Sequence, residues 1–256
     1  MSFLNDLDGI SRDRISVGYG ATRRPDPRIA RRIFQALGDA RSIANVGVGI
    51  GSYEPQEREV LALEPSAGMR ACRGLELPPA IQGYAEALPL ASDSVDAALA
   101  CLTLHHWADW RIGVHELRRV ARKRVVIFTY DQSYAKRFWL LRDYLPKLAR
   151  LDVERFPAIA EQGVAAGDEV WMEPVPIPHD CEDGLLAAYW RRPQAYLDER
   201  IRANISTFHL PGAERLLGGL QQLAEDLQTG RWQERYRDIL ECEELDLGYR
   251  LLVTEL

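Results

Sequence analysis

Apolar positions recur at helical spacing across PDPRIARRIFQALG (Pro25 to Gly38): Ile29, Ile33, Phe34 and Leu37 share one face, Asp26 caps ahead of Pro27, and Gly38 stops the run. Two short apolar runs follow, Ser42 to Val46 and Glu59 to Leu63, each ending in turn-forming residues. Unbroken runs of that length predict strands buried on both faces, as in a parallel sheet. Val95 to Leu104 and Arg124 to Thr129 read the same way, and Ala80 to Gly83 is a weaker strand. Asp109 to Val120 has helical periodicity and a basic C-terminal end. Strands alternating with helices predict a parallel sheet covered on both faces.

The second half is patterned differently. Ser133 to Gln162 is predicted helical and rich in large side chains, and Glu169 to Ile177 is a strand that Pro174 and Pro176 confine to an edge. A long helical stretch is expected from Glu182 to about Cys242, with breaks at Arg192-Pro193, Leu210-Pro211-Gly212 and Gly230. Leu247 to Val253 then closes the chain as a strand. No internal repeat or Gly/Ser linker separates the halves.

Composition narrows the class. The 256 residues carry 32 Lys+Arg against 38 Asp+Glu, a formal charge of −6, with 46% hydrophobic residues. That suits one large packed core and gives no broad field for attracting phosphates, so no nucleic-acid partner is expected. Cys72, Cys101, Cys181 and Cys242 never form C-x-x-C and read as free thiols in a reducing compartment. The N-terminus lacks a signal-type apolar stretch and no run is long enough to cross a membrane, so a cytoplasmic protein is expected.

The sharpest chemical feature is Asn45-x-Gly47-x-Gly49-x-Gly51 at a strand end, where glycines permit a tight turn and close approach of backbone amides to a ligand. Glu64, seventeen residues after Gly47 and at the tip of the next strand, is placed to accept hydrogen bonds from ribose hydroxyls. Together they describe a site for an adenosine-containing ligand. A nicotinamide dinucleotide prefers G-x-G-x-x-G opening a full helix, whereas Ser52 stands at the third position here and Glu54-Pro55 leave hardly room for a helix. A ligand without phosphate loses little from that, which favours S-adenosylmethionine.

These residues resemble the class I S-adenosylmethionine-dependent methyltransferases, particularly the small-molecule group related to ubiquinone and menaquinone methyltransferases. Asn45 to Gly51 looks like that family's D/E-x-G-x-G-x-G loop, and Leu63-Glu64-Pro65-Ser66-Ala67-Gly68-Met69 like its second motif. Tyr84-Ala85-Glu86-Ala87-Leu88-Pro89-Leu90, Leu104-His105-His106-Trp107-Ala108-Asp109 and Leu117-Arg118-Arg119-Val120 continue the series in order. The resemblance implies backbone contact from the glycine loop to the methionine part, ribose at Glu64, and adenine beside Pro65, Met69, Ala85 and Glu86. It further implies a cofactor-wall role for Leu102, and for Tyr19 and Arg23 in a segment folded over the cofactor. Asn45 replaces the usual acid, Tyr84 a common Asp, and the interval before the second strand is about one turn short, so the first crossover helix is expected to shrink to a turn or vanish.

The fold so implied is an α/β, Rossmann-like, seven-stranded, mostly parallel sheet of order 3-2-1-4-5-7-6, the last strand antiparallel. Residues 1–181 and 243–256 form its core, and 182–242 a substrate-facing helical cap inserted between the last two strands. The expected activity is methyl transfer from S-adenosyl-L-methionine to an O, N or C nucleophile of a small molecule, leaving S-adenosyl-L-homocysteine. A non-catalytic adenosine-binding module and a nicotinamide-dependent reductase are the alternatives. His105 and His106 read as packing or cofactor-wall residues, and if a base is used, His106, Tyr130, Asp131 and His179 are the candidates. His179-Asp180-Cys181-Glu182-Asp183 has no partner cluster, so it reads as a capping loop and no metal is expected. The basic run Arg118 to Arg124 reads as a solvated face, and the aromatics from Tyr130 to Tyr144 with Tyr189, Trp190 and Tyr196 mainly as core, some lining a pocket for a flat substrate. Oligomeric state stays open.

Overall fold

The computed structural model describes residues 24–167, 169–209 and 217–256. Tyr19, Arg23 and the expected break at Leu210-Pro211-Gly212 lie outside the described residues. Helix α1 (Pro27–Ala36) starts as its pattern predicts: the Asp26 carboxylate accepts from the Arg28 amide, and Pro27 occupies the first turn, where no donor is needed. Strand β1 (Ser42–Val46) and strand β2 (Glu59–Leu63) pair in parallel, register Ser42 to Glu59 through Val46 to Leu63. Between them there is no helix, only turns, as the short interval predicts. After β2 come α2 (Ala67–Ala71), β3 (Val95–Cys101), α3 (Trp110–Val120) and β4 (Ala121–Tyr130). Then follow α4 (Pro146–Arg155), α5 (Ile159–Ala166), β5 (Val170–Pro174) and β6 (Ile177–Pro178). Helices α6 (Glu199–Arg202), α7 (Leu217–Thr229) and α8 (Arg231–Arg235) precede β7 (Glu244–Leu245) and β8 (Tyr249–Glu255).

Among the described residues the main sheet has six strands, not the expected seven, in the order β2-β1-β3-β4-β8-β5. The missing member, Ala80 to Gly83, is reduced to a single parallel bridge between Leu63 and Ile81. Pro78 and Pro79 lack the donors a ladder needs, and Gly83 ends the segment at once. Ile81 still sits beside β2, where that strand belongs in the expected order. β8 runs antiparallel to both β4 and β5, and proline-bearing β5 lies at the edge.

Alternate side chains along each strand enter two cores, as a sheet buried on both faces requires. Ile43, Leu99, Phe128 and Leu251 meet Ile29 and Ile33 of α1 on one face. Ala44, Ala98, Ile127 and Leu252 meet Val114 and Leu117 of α3 on the other. The first core continues without interruption into Trp139, Trp190, Tyr196 and Trp232, so most of the second-half aromatics are packing residues.

The expected long helices are broken up. Ser133 to Gln162 becomes a 3-10 turn (Gln132–Lys136), a π-helical turn (Leu140–Tyr144), α4 and α5, divided where Pro146 and Pro157 interrupt the backbone donors. Glu182 to Asp198 is mostly turns, with one 3-10 stretch opened by Pro193. Among the described residues no helix is long and apolar enough to cross a membrane.

Candidate functional site

The carboxyl ends of β1, β2, β3 and β4 border one cavity of about 150 Å³, where open α/β sheets bind ligands. Its floor is the glycine loop. Gly47 has φ +74, and a β-carbon there would fall 2.1 Å from the Thr103 hydroxyl, so both backbone sign and close approach demand glycine. Gly49 has φ +57, and among the described residues a β-carbon there would meet nothing within 4 Å. The loop is tied to β2 by the Gly47 and Val48 amides, which both donate to the Leu63 carbonyl.

Glu64 is buried, 3% exposed, at the tip of β2. Its Oε2 accepts from the Gly49 amide at 2.8 Å and its Oε1 from the Ser66 amide at 2.9 Å. Each carboxylate oxygen keeps one further acceptor site, so the group is oriented before a diol arrives. An open groove over Gly49 beside a fixed carboxylate fits an adenosine-bearing ligand. The side-chain amide nitrogen of Asn45 is buried next to the loop with no hydrogen-bond partner among the described residues.

Gly47, Gly49, Glu64, Met69 and Leu102 therefore stand together in the cavity wall. Gly51, Pro65, Ala85 and Glu86 stand outside it. Gly51 faces Leu77 and Arg73, and the Pro65 carbonyl accepts from Arg70. Ala85 packs into the α3-side core, and the Glu86 carboxylate accepts from the Asp109 amide at 3.0 Å. Leu102 has φ +49, a left-handed backbone uncommon for a leucine, which turns the chain sharply at the end of β3 and tucks Thr103 under the loop.

The far side of the cavity is aromatic. Phe156 stacks on His105 with centroids 4.0 Å apart, His105 lies 3.9 Å from His106, and Tyr130 meets Phe156 edge-on and Tyr249 at 5.5 Å. Phe156, Tyr249, Leu185 and Ile205 in this wall carry no sequence signal, because their periodicity is that of ordinary core residues. Of the four base candidates, His106 and Tyr130 line the cavity. Asp131 accepts from the Ser133 amide, and His179 faces Glu243 at 3.3 Å. Cys101 also borders the cavity, but burial, with the Asp183 and Glu54 carboxylates nearby, pushes its thiol far above the usual range, so it stays protonated.

The loop from His179 to Asp183 is spent on structure: Asp180 pairs with Arg28, the Glu182 amide donates to Asp26, and Asp183 accepts from Tyr53. No cluster of metal ligands occurs among the described residues. Arg119, Arg122 and Arg124 pair with Glu116, Asp96 and Glu255.

A methyltransferase-domain family model matches residues 44–129. A solved protein from Anabaena variabilis ATCC 29413, described as a methyltransferase of an antibiotic biosynthesis pathway, is 36% identical over 92% of this chain and 99% of its own, with a TM-score of 0.84. A Bacillus halodurans C-125 protein described as a methyltransferase (14% identity, 88% of this chain and 97% of that one, TM-score 0.51) shares the fold, as does the [4+2]-cyclase SpnF (15%, 88% and 80%, TM-score 0.51). Among curated proteins none matches the chain. With more than a third of its residues identical to a methyltransferase over nearly its whole length, and a strand-end glycine loop and acid of the matching kind, the chain belongs to the class I S-adenosylmethionine-dependent methyltransferases.

Proposed function

We propose that this methyltransferase acts on a planar, largely apolar small molecule held against the aromatic side of the cavity, with residues 182–242 as a substrate-facing cap on a core of 1–181 and 243–256. The observation that carries this reading is that the cavity has two unlike ends. Backbone amides and the Glu64 carboxylate form one, suited to a polar nucleoside. Tyr130, Phe156 and Tyr249 form the other, facing Leu185 and Ile205 of the cap.

S-adenosylmethionine, when bound, would supply an electrophilic methyl group, which bonds to an O, N or C nucleophile in line as the carbon–sulfur bond breaks and S-adenosylhomocysteine leaves. The chain's own residues position the partners. The fixed Glu64 carboxylate accepts from the ribose, the groove over Gly49 admits the methionine part, and Met69 lies along the adenine side. Aromatic faces favour a flat acceptor by offset stacking and by area burial. Leu185 and Ile205 exclude water, and holding two reactants in line supplies much of the acceleration. The reading assigns no dedicated base: Arg155, a donor only, faces His106 Nδ1 at 3.4 Å and holds that nitrogen as an acceptor. A small-molecule acceptor also suits the neutralised basic run. Four cysteines outside any disulfide suit the cytoplasm.

Calorimetric titration tests the cofactor end: S-adenosylhomocysteine is expected to bind, NADH not, and Glu64→Ala to weaken the former by about tenfold or more. An acceptor panel tests the other end, with S-adenosylhomocysteine formation as readout. Phenols and aromatic amines are expected to turn over and aliphatic alcohols and amines of like size not. Preference for the aliphatic set would overturn the planar-acceptor reading.

A further inference from the structure

Where a crossover helix is missing, residues 52–55 turn inward instead. Tyr53 is 2% exposed and has φ +59, in the left-handed region that a bulky residue rarely adopts. Its ring meets Phe128 edge-on at 5.9 Å, and its hydroxyl donates to Asp183 Oδ2 at 2.8 Å. The next residue reaches the other way. Both Glu54 carboxylate oxygens accept from the Arg73 guanidinium, at 3.0 and 2.8 Å, in a buried bidentate pair. Ile50 and Ser52, just before Tyr53, line the cavity, and so do Gly184 and Leu185, just after Asp183. One hydrogen bond therefore joins the cofactor loop to a wall supplied by chain 130 residues away.

We propose that the Tyr53–Asp183 hydrogen bond is a positioning link that couples cofactor occupancy of the glycine loop to the shape of the acceptor wall. The inference rests on the reading that residues 182–242 face the acceptor. A link transmits displacement only if both ends are stiff, and both are. Tyr53 is wedged by its ring and pinned through Glu54, so a shift of Ser52 as the groove over Gly49 fills is not absorbed locally. At the other end the Glu182 amide donates to Asp26 at 3.1 Å, and the Cys181 carbonyl accepts from Arg192 at 2.7 Å. The Leu186 carbonyl accepts from the buried Tyr196 hydroxyl at 2.7 Å, so Gly184 and Leu185 are the stretch between fixed points that the link can shift. Cofactor binding then orders the wall before the acceptor arrives, which is positive coupling between two ligands of one cavity.

Hydrogen exchange with S-adenosylhomocysteine as the probe tests this, beside calorimetry on the same proteins. In the wild type the probe is expected to slow exchange both at 47–52 and at 184–188, the latter by about tenfold. Tyr53→Phe keeps the ring and loses the hydroxyl. It is expected to bind the probe within about threefold of wild type and protect 47–52, yet leave 184–188 unprotected. Asp183→Ala is expected to reproduce that result, and Asp183→Asn, which keeps an acceptor oxygen, to retain wild-type protection. Equal protection at 184–188 in wild type and Tyr53→Phe, or none in wild type despite binding, would overturn the link. Failure of the wild type to bind the probe would overturn the cofactor assignment itself, and the link with it.

Discussion

Gly47 and Gly49 differ in what surrounds the missing side chain, and that difference separates stability from binding. Gly47→Ala combines a left-handed backbone with a 2.1 Å approach to Thr103, so it is expected to destabilise the fold by about 2 kcal/mol or more, read as a lowered Tm. Gly49→Ala meets no atom of the described residues within 4 Å and is expected to cost only about 1 kcal/mol in backbone strain. Its methyl group enters the groove instead, so affinity for S-adenosylhomocysteine should fall far more than stability does. The places of Gly49 and Glu64 were legible because strand ends, turn glycines and an acid at fixed spacing are local patterns, whereas Met69 came only from the resemblance to the family's second motif. Leu102 at φ +49 shows the limit: nothing local announces a left-handed leucine, which is held there by the pairing of β3 with β4 on one side and Thr103 beneath Gly47 on the other.

At the scale of elements, the start of α1 does more than cap. Asp26 is fully buried; burial opposes its charge, but hydrogen bonds from the Arg28 side chain and from the Glu182 and Arg28 amides outweigh that and lower its pKa to about 2. A carboxylate depressed in the folded state adds stability that is complete above its unfolded value near 3.8 and is lost as pH falls towards 2. Asp26→Asn keeps a capping acceptor without the charge. The Tm gap between wild type and this variant is therefore expected to be widest near neutral pH and to close by about pH 2. The shortened crossover carries a second test: Arg73→Met strands the buried Glu54 carboxylate and is expected to cost about 3–5 kcal/mol in denaturant unfolding. β1, β2, α1 and α3 were legible at close to residue precision, the helices because each has a clean period and a capping aspartate, the strands because each is an unbroken apolar run ending in turn residues. The Ala80 to Gly83 strand was not, since whether four weak residues extend a ladder depends on the edge they meet.

Across the whole molecule, one core joins the sheet to the segment between β6 and β7, with Trp139, Trp190 and Trp232 in the same cluster as Ile29 and Phe128. Unfolding followed by sheet circular dichroism and by tryptophan fluorescence is expected to give coincident transitions, and separated midpoints would show the segment between β6 and β7 melting alone. From the amino-acid sequence by itself came the alternation of strands and helices, the closing strand, the glycine loop and the acid after it, all properties of neighbours in the chain, whereas the antiparallel direction of that strand followed only from the family resemblance. Tertiary structure alone decided that the seventh strand dwindles to a bridge at Ile81 and that Ala85 and Glu86 turn away from the cavity. It also decided that Phe156, Tyr249 and Leu185 turn towards it, and that Tyr53 meets Asp183. The physical reason is range: caps, turns and periodicity act over a few residues. The aromatic side of the cavity draws on separate segments spread from Tyr130 to Tyr249, whose apolar side chains look alike in sequence whether they face the core or a ligand.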